Sequence, residues 1–369
     1  MATMAPRPAE TGHQLGVHTV GVEEELFVVD PAGLTPVPCD EGLLGPAHCG
    51  AGLFVGEMCD GVLELVSPVC RTAGEVMALL GGMRAEVVER EPIALLGVGV
   101  HPTLAFGDVR HRTGEHYASV GEQTRSLLRQ STYCGVHVHV GMPDRETQIA
   151  AFNGMRKWVP LLQALSANSP YWHGRDSGLA SARTVINHSL PRSGLPRAFR
   201  DWADFEAMMA ELCRVAEIED TSSVWWDMRP HHEHGTLEVR GIDAQASHGD
   251  LAAIVALAHC LACHEALTDT SAHPEPEVLA EAQFRAIRDG IDARISVGGP
   301  LVAVTDLARH ALDVASGYAA ALGCAGELDG VERIQLEGNG AVRQRRAFAR
   351  GGMRDVLELL RDETAGRTA

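Results

Sequence analysis

Positive charge is scarce in this 369-residue sequence: Lys and Arg total 31 against 49 Asp and Glu, a formal net charge of −18. That balance argues against nucleic acid and anionic membrane surfaces as partners, because both require basic patches. It leaves room for a basic pocket that takes a small anion. No apolar run approaches the ~18 residues of a membrane span. The opening stretch, MATMAPRPAETGHQ, lacks the apolar segment of a secretory leader. No internal repeat and no low-complexity linker divides the chain. The expectation is a cytoplasmic protein with one domain over residues 16–362, a loose tail at 1–15 and another at 363–369. The nine cysteines are scattered and odd in number, which fits reduced thiols. The one CxxC, Cys260 to Cys263, lies in AIVALAHCLACHEAL. That stretch is helical and apolar, so packing is favoured over redox chemistry or zinc.

GVEEELFVVD, residues 21–30, reads as a strand because Val, Leu and Phe dominate and no helix start precedes it. VLELVSP gives a second strand over about 62–67, and PIALLGVGV a buried one over 92–100. Between them TAGEVMALLGGMRAEVVER opens with a capping box, Thr72 and Glu75, and keeps apolar residues at helical spacing. STYCGVHVHVGMP, 131–143, is a strand, after which Asp144 caps a long helix through about Ala167, bent at Pro160. Residues 168–200 are rich in Ser, Gly, Pro and Arg and are expected as a long irregular loop, a candidate lid. After a helix at 204–218, SSVWWDMRP and TLEVRGI form a hairpin through HHEHG, and residues 249–362 read as helices. Strands early and helices late predict an α+β fold, a mostly antiparallel sheet with helices packed on one face.

Four strand segments carry ionisable residues at alternate positions: Glu23 and Glu25, Glu64 (with Glu57 seven residues earlier), His137 and His139, and Glu238 and Arg240. Alternation sends each pair to one face of its strand, while Glu24 shares the other face with Val22 and Leu26. If the strands are neighbours, one surface gathers carboxylates, imidazoles and an arginine. Clustered carboxylates oppose folding unless cations sit among them, and oxygen-dominated ligand sets select Mg²⁺ or Mn²⁺. A His-x-His strand equally begins a zinc site, and Glu-x-Glu equally a solvated face.

TVGVEEELFVVDP, CGVHVHVGMPDRE, WWDMRPHHEHGTLEVRGIDAQ and GNGAVRQRRAF together resemble the carboxylate–amine ligase family, glutamate–cysteine ligase type 2, over residues 17 to 362. The resemblance implies a glutamine synthetase-like catalytic fold with ATP and Mg²⁺ or Mn²⁺ on the open face of its sheet. It implies metal ligands at Glu23, Glu25, Glu57, Glu64, His137 and Glu238. Arg240 then contacts phosphate, His139 lies toward the nucleotide, Arg183 in SARTVINHSLPRSG meets phosphate or a substrate carboxylate, and Arg229 contacts substrate. The implied reaction is ATP-dependent amide formation through an acyl phosphate, from small amino-acid and amine substrates. A homodimer is compatible with it. The chain departs from the family at EAQFRA, residues 281–286, where Ala282 and Phe284 replace an amide and an indole, and GEMCDGVLE is an unusual entry to the second strand. Both departures bear on substrate choice. Two rival readings stand beside the ligase: a guanidino-kinase-like phosphotransferase, and a zinc hydrolase or non-catalytic metal-binding protein built on His137 and His139.

Overall fold

The computed structural model describes residues 16–367, apart from 91, 106, 109, 113, 131, 220 and 269–272. The tail expected at 1–15 lies outside the described residues. The main sheet has eight strands: β1 (Val20–Val29), β2 (Gly45–Pro46), β3 (Leu53–Gly56), β4 (Val62–Val66), β5 (Ala94–Leu96), β6 (Gly135–Gly141), β7 (Met228–His231) and β8 (Thr236–Asp243). Its order is β7-β8-β6-β1-β4-β3-β2, with β5 beside the second half of β1, and every pairing is antiparallel. The helices are α1 (Ala73–Arg90), α2 (Glu115–Thr124), α3 (Arg145–Met155), α4 (Val159–Ser166), α5 (Ala182–His188), α6 (Trp202–Ala216), α7 (His248–Leu267), α8 (Pro276–Asp289), α9 (Val304–Leu322), α10 (Ala325–Glu337), α11 (Gly340–Gly351) and α12 (Met353–Thr364).

Alternation along β1 divides the molecule. Val20, Val22, Leu26 and Val28 join the large core under the helices. Phe27 and Val29 point the other way and pack against Val356, Leu357 and Leu360 of α12, which closes one end of the open face. The central helix α7 is long and apolar enough, by length and composition, to cross a membrane. Its side chains are instead buried against α1, α3, α9 and α10. Cys260 and Cys263 lie on it as buried free thiols. Thr72 caps α1 by accepting from Glu75 N at 3.1 Å. Asp144 caps α3, but the long helix expected beyond it is two, because the chain turns at 156–158 and restarts with Pro160 in the first turn of α4.

Two boundaries differ from expectation. Residues 168–200 are not one irregular loop: Tyr171–Trp172 pairs with Arg175–Asp176, and Ser181 caps the buried helix α5. The serines read as loop formers act as caps and hydrogen-bonding pins. The last helix passes the boundary expected at 362. It runs to Thr364, which is buried and accepts from Gly97 N at 2.9 Å.

The middle glutamate of GVEEEL explains why that end is ordered. Glu24 is fully buried on the helix side of β1. It accepts both edges of the Arg84 guanidinium, Nε at 3.0 Å and Nη2. Arg84 also donates to the carbonyls of Gln245 (2.8 Å), Ala246 (3.1 Å) and Thr364 (3.3 Å), so its donors are fully used. One guanidinium thus ties β1, α1, the end of β8 and α12 together. Removing it leaves a buried carboxylate and three carbonyls unmatched. Arg84→Met is expected to destabilise the fold by about 3–5 kcal/mol, read as the shift in a urea unfolding curve, and Arg84→Lys is expected to recover only part of it.

Candidate active site

The sheet register makes neighbours of residues far apart in sequence. Glu23 stands opposite His137, Glu25 opposite Glu64, and Glu238 opposite His139. Glu57 follows the end of β3, whose Val55 pairs with Glu64. Arg240 sits on a bulge. The Asp227 carbonyl accepts from both Arg240 N (2.7 Å) and Gly241 N (2.9 Å), and the ladder between β8 and β6 gains a residue there. Helix α5 brings Arg183 across the strand end at Gly135, where any Cβ would collide with the guanidinium. The resulting cavity, about 270 Å³, is lined by Glu23, Glu25, Glu57, Glu64, His137, Arg183 and Arg240, and walled by Tyr133, Asn187, Trp225 and Trp226.

The carboxylates divide into two kinds. Burial, and then the charge of Glu57, push Glu25 up to about 8. Burial also raises Glu57, and it raises Glu64 well above the ordinary range with the charges of Glu57, Glu23 and Glu25 adding to it. Glu23 and Glu238 go the other way. Burial alone would raise Glu23, but hydrogen bonds from His137 and His139 outweigh it. For Glu238 the Arg240 and Arg229 charges outweigh burial. Burial, helped by Arg240, lowers His137 to about 4, so the ring is neutral. Its Nδ1–H donates to Glu23 at 2.7 Å, and Nε2 faces Glu25 at 3.9 Å as a free lone pair.

This donor set fits divalent cations. Ligand atoms of Glu23, His137 and Glu238 lie within 4.8 Å of one another, and so do those of Glu25, Glu64 and His137. His139 lies on the same face. It hydrogen-bonds Thr236 through Nδ1, while its buried Nε2 aims between Glu23 (3.4 Å) and Glu238 (3.7 Å). Arg183 is buried, donates once to the Arg240 carbonyl (3.2 Å), and keeps Nε and Nη1 unpartnered, which suits an anionic ligand.

Arg229 does not line the cavity. It is paired with Glu238 and the Thr221 carbonyl. It shares the open face with Glu238, its register partner, on the edge strand β7. Ala282 is buried in α8 and Phe284 is about half exposed (48%), so neither residue of the departing motif reaches the cavity. Between them Gln283 points inward and donates to Asp227 at 2.7 Å. The 168–200 segment supplies a cavity wall through Arg183 and Asn187, which corrects the picture of a free lid. Sequence reasoning also missed Tyr133, Asn187 and Cys59. All three lie in quoted stretches, but nothing in their spacing marks them.

Glu64 illustrates the strain of crowding carboxylates. Its pKa is raised on folding, so it binds more proton folded than unfolded and opposes folding increasingly as pH rises above the ordinary carboxylate range. Glu64→Gln is expected to stabilise the chelated protein by about 0.5–2 kcal/mol. Added Mg²⁺ should then stabilise wild type more than the variant. Thermal melts in EDTA and in Mg²⁺ measure both effects. A variant less stable than wild type in EDTA would contradict the reading.

Residues 19–359 match the family model described as "Glutamate-cysteine ligase family 2". A glutamate–cysteine ligase from Halobacterium salinarum is 38% identical over 288 residues, covering 74% of this chain and 80% of that protein. Among solved structures, a bifunctional glutathione synthetase from Pasteurella multocida superposes with a TM-score of 0.71 at 14% identity, over 97% of this chain. This chain spans about half (54%) of that protein. A glutamate–cysteine ligase from Francisella tularensis, crystallised with AMP, gives 0.69 at 12% identity over 95% of this chain and 89% of that one. These two show the shared fold.

Proposed function

The chain belongs to glutamate–cysteine ligase family 2, whose members are ATP-dependent carboxylate–amine ligases, and from that premise we propose that the cavity on the open face of the sheet is the site of amide formation. The observation that carries this is the convergence of Glu23, Glu25, Glu57, Glu64, His137, Arg183 and Arg240 on one cavity. We further propose glutamate, through its γ-carboxylate, and cysteine, through its amine, as the substrate pair. The catalytic unit is a single domain from residue 16 to the end of α12, and a cytoplasmic location accords with nine free cysteines.

The substrate carboxylate attacks the γ-phosphorus of ATP, giving an acyl phosphate and ADP. The amine then attacks the acyl carbon and phosphate leaves. The protein's part is positioning and charge neutralisation, with no protein nucleophile. Glu23, Glu25, Glu57, Glu64, His137 and Glu238 would hold divalent ions, Mg²⁺ or Mn²⁺, which when bound neutralise phosphate charge. Glu238 fixes one edge of Arg240, and the guanidinium lines the cavity where phosphate is to be held. Arg183 offers its unpartnered donors to phosphate or to a substrate carboxylate. His139 lies toward the nucleotide. Tyr133, Trp225 and Trp226 make an aromatic wall that limits water beside the acyl phosphate.

Zinc suits this site less well. Carboxylate oxygens dominate its candidate ligand sets, and Cys59 only borders the cavity. ATP turnover tested across a panel of amino acids and amines decides the function. The ligase releases ADP only when both carboxylate and amine are present, whereas a guanidino-kinase-like enzyme yields a phosphorylated product and no amide. EDTA is expected to abolish turnover and Mg²⁺ or Mn²⁺ to restore it; restoration by zinc alone would sink the oxygen-ligand assignment.

Arg240→Lys keeps the charge but loses the planar fork. A loss of about 10²–10³ in kcat is expected, measured as amine-dependent ADP release. Retention of more than about a third of wild-type kcat, far outside that range, would remove Arg240 from the phosphates.

A further inference from the structure

We infer that Asp227 and His188 are positioning residues, a pair behind the cavity that sets Arg183 and Arg240 in fixed relation to each other. This rests on the ligase reading for the roles of the two arginines, and on geometry for everything else.

Asp227 is buried at the turn into β7 and does two separate jobs. Its carbonyl accepts from Arg240 N and Gly241 N, which holds the bulge that carries Arg240. Its carboxylate accepts from His188 Nε2 (2.8 and 3.0 Å) and from Gln283 Nε2 (2.7 Å). His188 is the last residue of α5, and Arg183 is the second. The N-terminal end of α5 is pinned as firmly. Ser181, its cap, donates to Asp243 Oδ1 at 2.8 Å, and Asp243 Oδ2 accepts from Ser169 Oγ (2.7 Å) and Asn168 N (2.9 Å). Asp227 and Asp243 are thus two buried carboxylates on either side of the β8 bulge, with α5 slung between them.

The consequence for the arginines is direct. Arg183 touches the bulge itself through the Arg240 carbonyl, and its guanidinium fills the space that any side chain at Gly135 would need. With no carboxylate hydrogen-bonded to it, Arg183 is placed by where α5 sits. Burial and Arg183 would lower His188, but the charge of Asp227 and its hydrogen bond outweigh them and raise it above its ordinary value. Neither Asp227 nor His188 lines the cavity. An effect of either on turnover must therefore pass through α5 or the bulge. Gln283 adds the link to α8. It lies between the two positions where this chain departs from its family, and it also donates to Gln163 on α4 at 3.2 Å.

A double-mutant cycle separates positioning from general stability. His188→Gln and, as the milder isosteric change, Asp227→Asn are each combined with Arg183→Ala, and kcat/KM is measured for amine-dependent ADP release at a temperature where all variants are folded. Each single change is expected to lower kcat/KM by about 10- to 100-fold, the scale of a small misplacement. In the Arg183→Ala background His188→Gln is expected to add less than about twofold. Full additivity, or an unchanged kcat/KM in both single variants, would overturn the inference. A crystal structure of His188→Gln gives a second readout that needs no turnover. Arg183 is expected to have left the slot above Gly135; an unmoved guanidinium would equally overturn the inference. Wild type without amine-dependent ADP release would defeat the ligase reading, and the crystal position of Arg183 would still decide this one.

Discussion

Carboxylates crowded on one buried face of a sheet are the constraint from which the rest of this structure follows. Glu23, Glu25, Glu57, Glu64 and Glu238 sit on or beside four strands, and burial raises the cost of charge at each of them. The protein resolves this in two ways. Near β8 it supplies its own cations, and Arg229 and Arg240 flank Glu238. Toward β3 and β4 burial prevails over the charges of Arg112, Arg183 and Arg240, and Glu25, Glu57 and Glu64 are driven toward the protonated form. An uncompensated cluster of this kind opposes folding, and a fold that keeps it does so for a ligand. The rest of the domain must supply the opposing stability. The helix layer, with α7 buried almost all round, is where it comes from.

The same alternation that aims Glu23 and Glu25 at the open face sends Glu24 backwards. Three consecutive glutamates therefore meet opposite environments within one strand. The outer two face the cavity, and the middle one is given an internal partner in Arg84. The back of the strand must be rigid for the front to hold its geometry. Arg84 provides that rigidity by joining β1 to the end of β8 and to α12 at once. The site depends in this way on the last helix, 12 residues long, which in the sequence reads only as part of a run of helices.

Much of this was legible in the sequence, and the limits are physical. Strand-period pairs such as His137 with His139 and Glu238 with Arg240 declare a shared face, since alternation is local geometry. What they cannot declare is adjacency. That β8 lies beside β6, and β6 beside β1, follows from long-range pairing. The bulge at Arg240 was equally hidden, because its cause is a carbonyl at Asp227, thirteen residues earlier. Helix α5 escaped notice because its composition is that of a loop; a cap at Ser181 and buried carboxylates at each end make it a helix. Arg229 matched a motif and shares the open face with Glu238, but it stands on the edge strand β7, outside the cavity lining.

A chain of formal charge −18 that handles phosphates must create positive potential locally. Arg229 and Arg240 contribute less to it than their number implies, because Glu238 neutralises part of their charge before any ligand arrives. Among the described cavity residues, Arg183 has fully buried hydrogen-bond donors left over, at Nε and Nη1. It is also the one whose place depends on a helix rather than on the sheet. The sheet therefore fixes the carboxylates, and α5 fixes Arg183. The departing motif on α8 reaches α5 through Gln283, which donates to Asp227, whose carboxylate in turn accepts from His188 at the end of that helix.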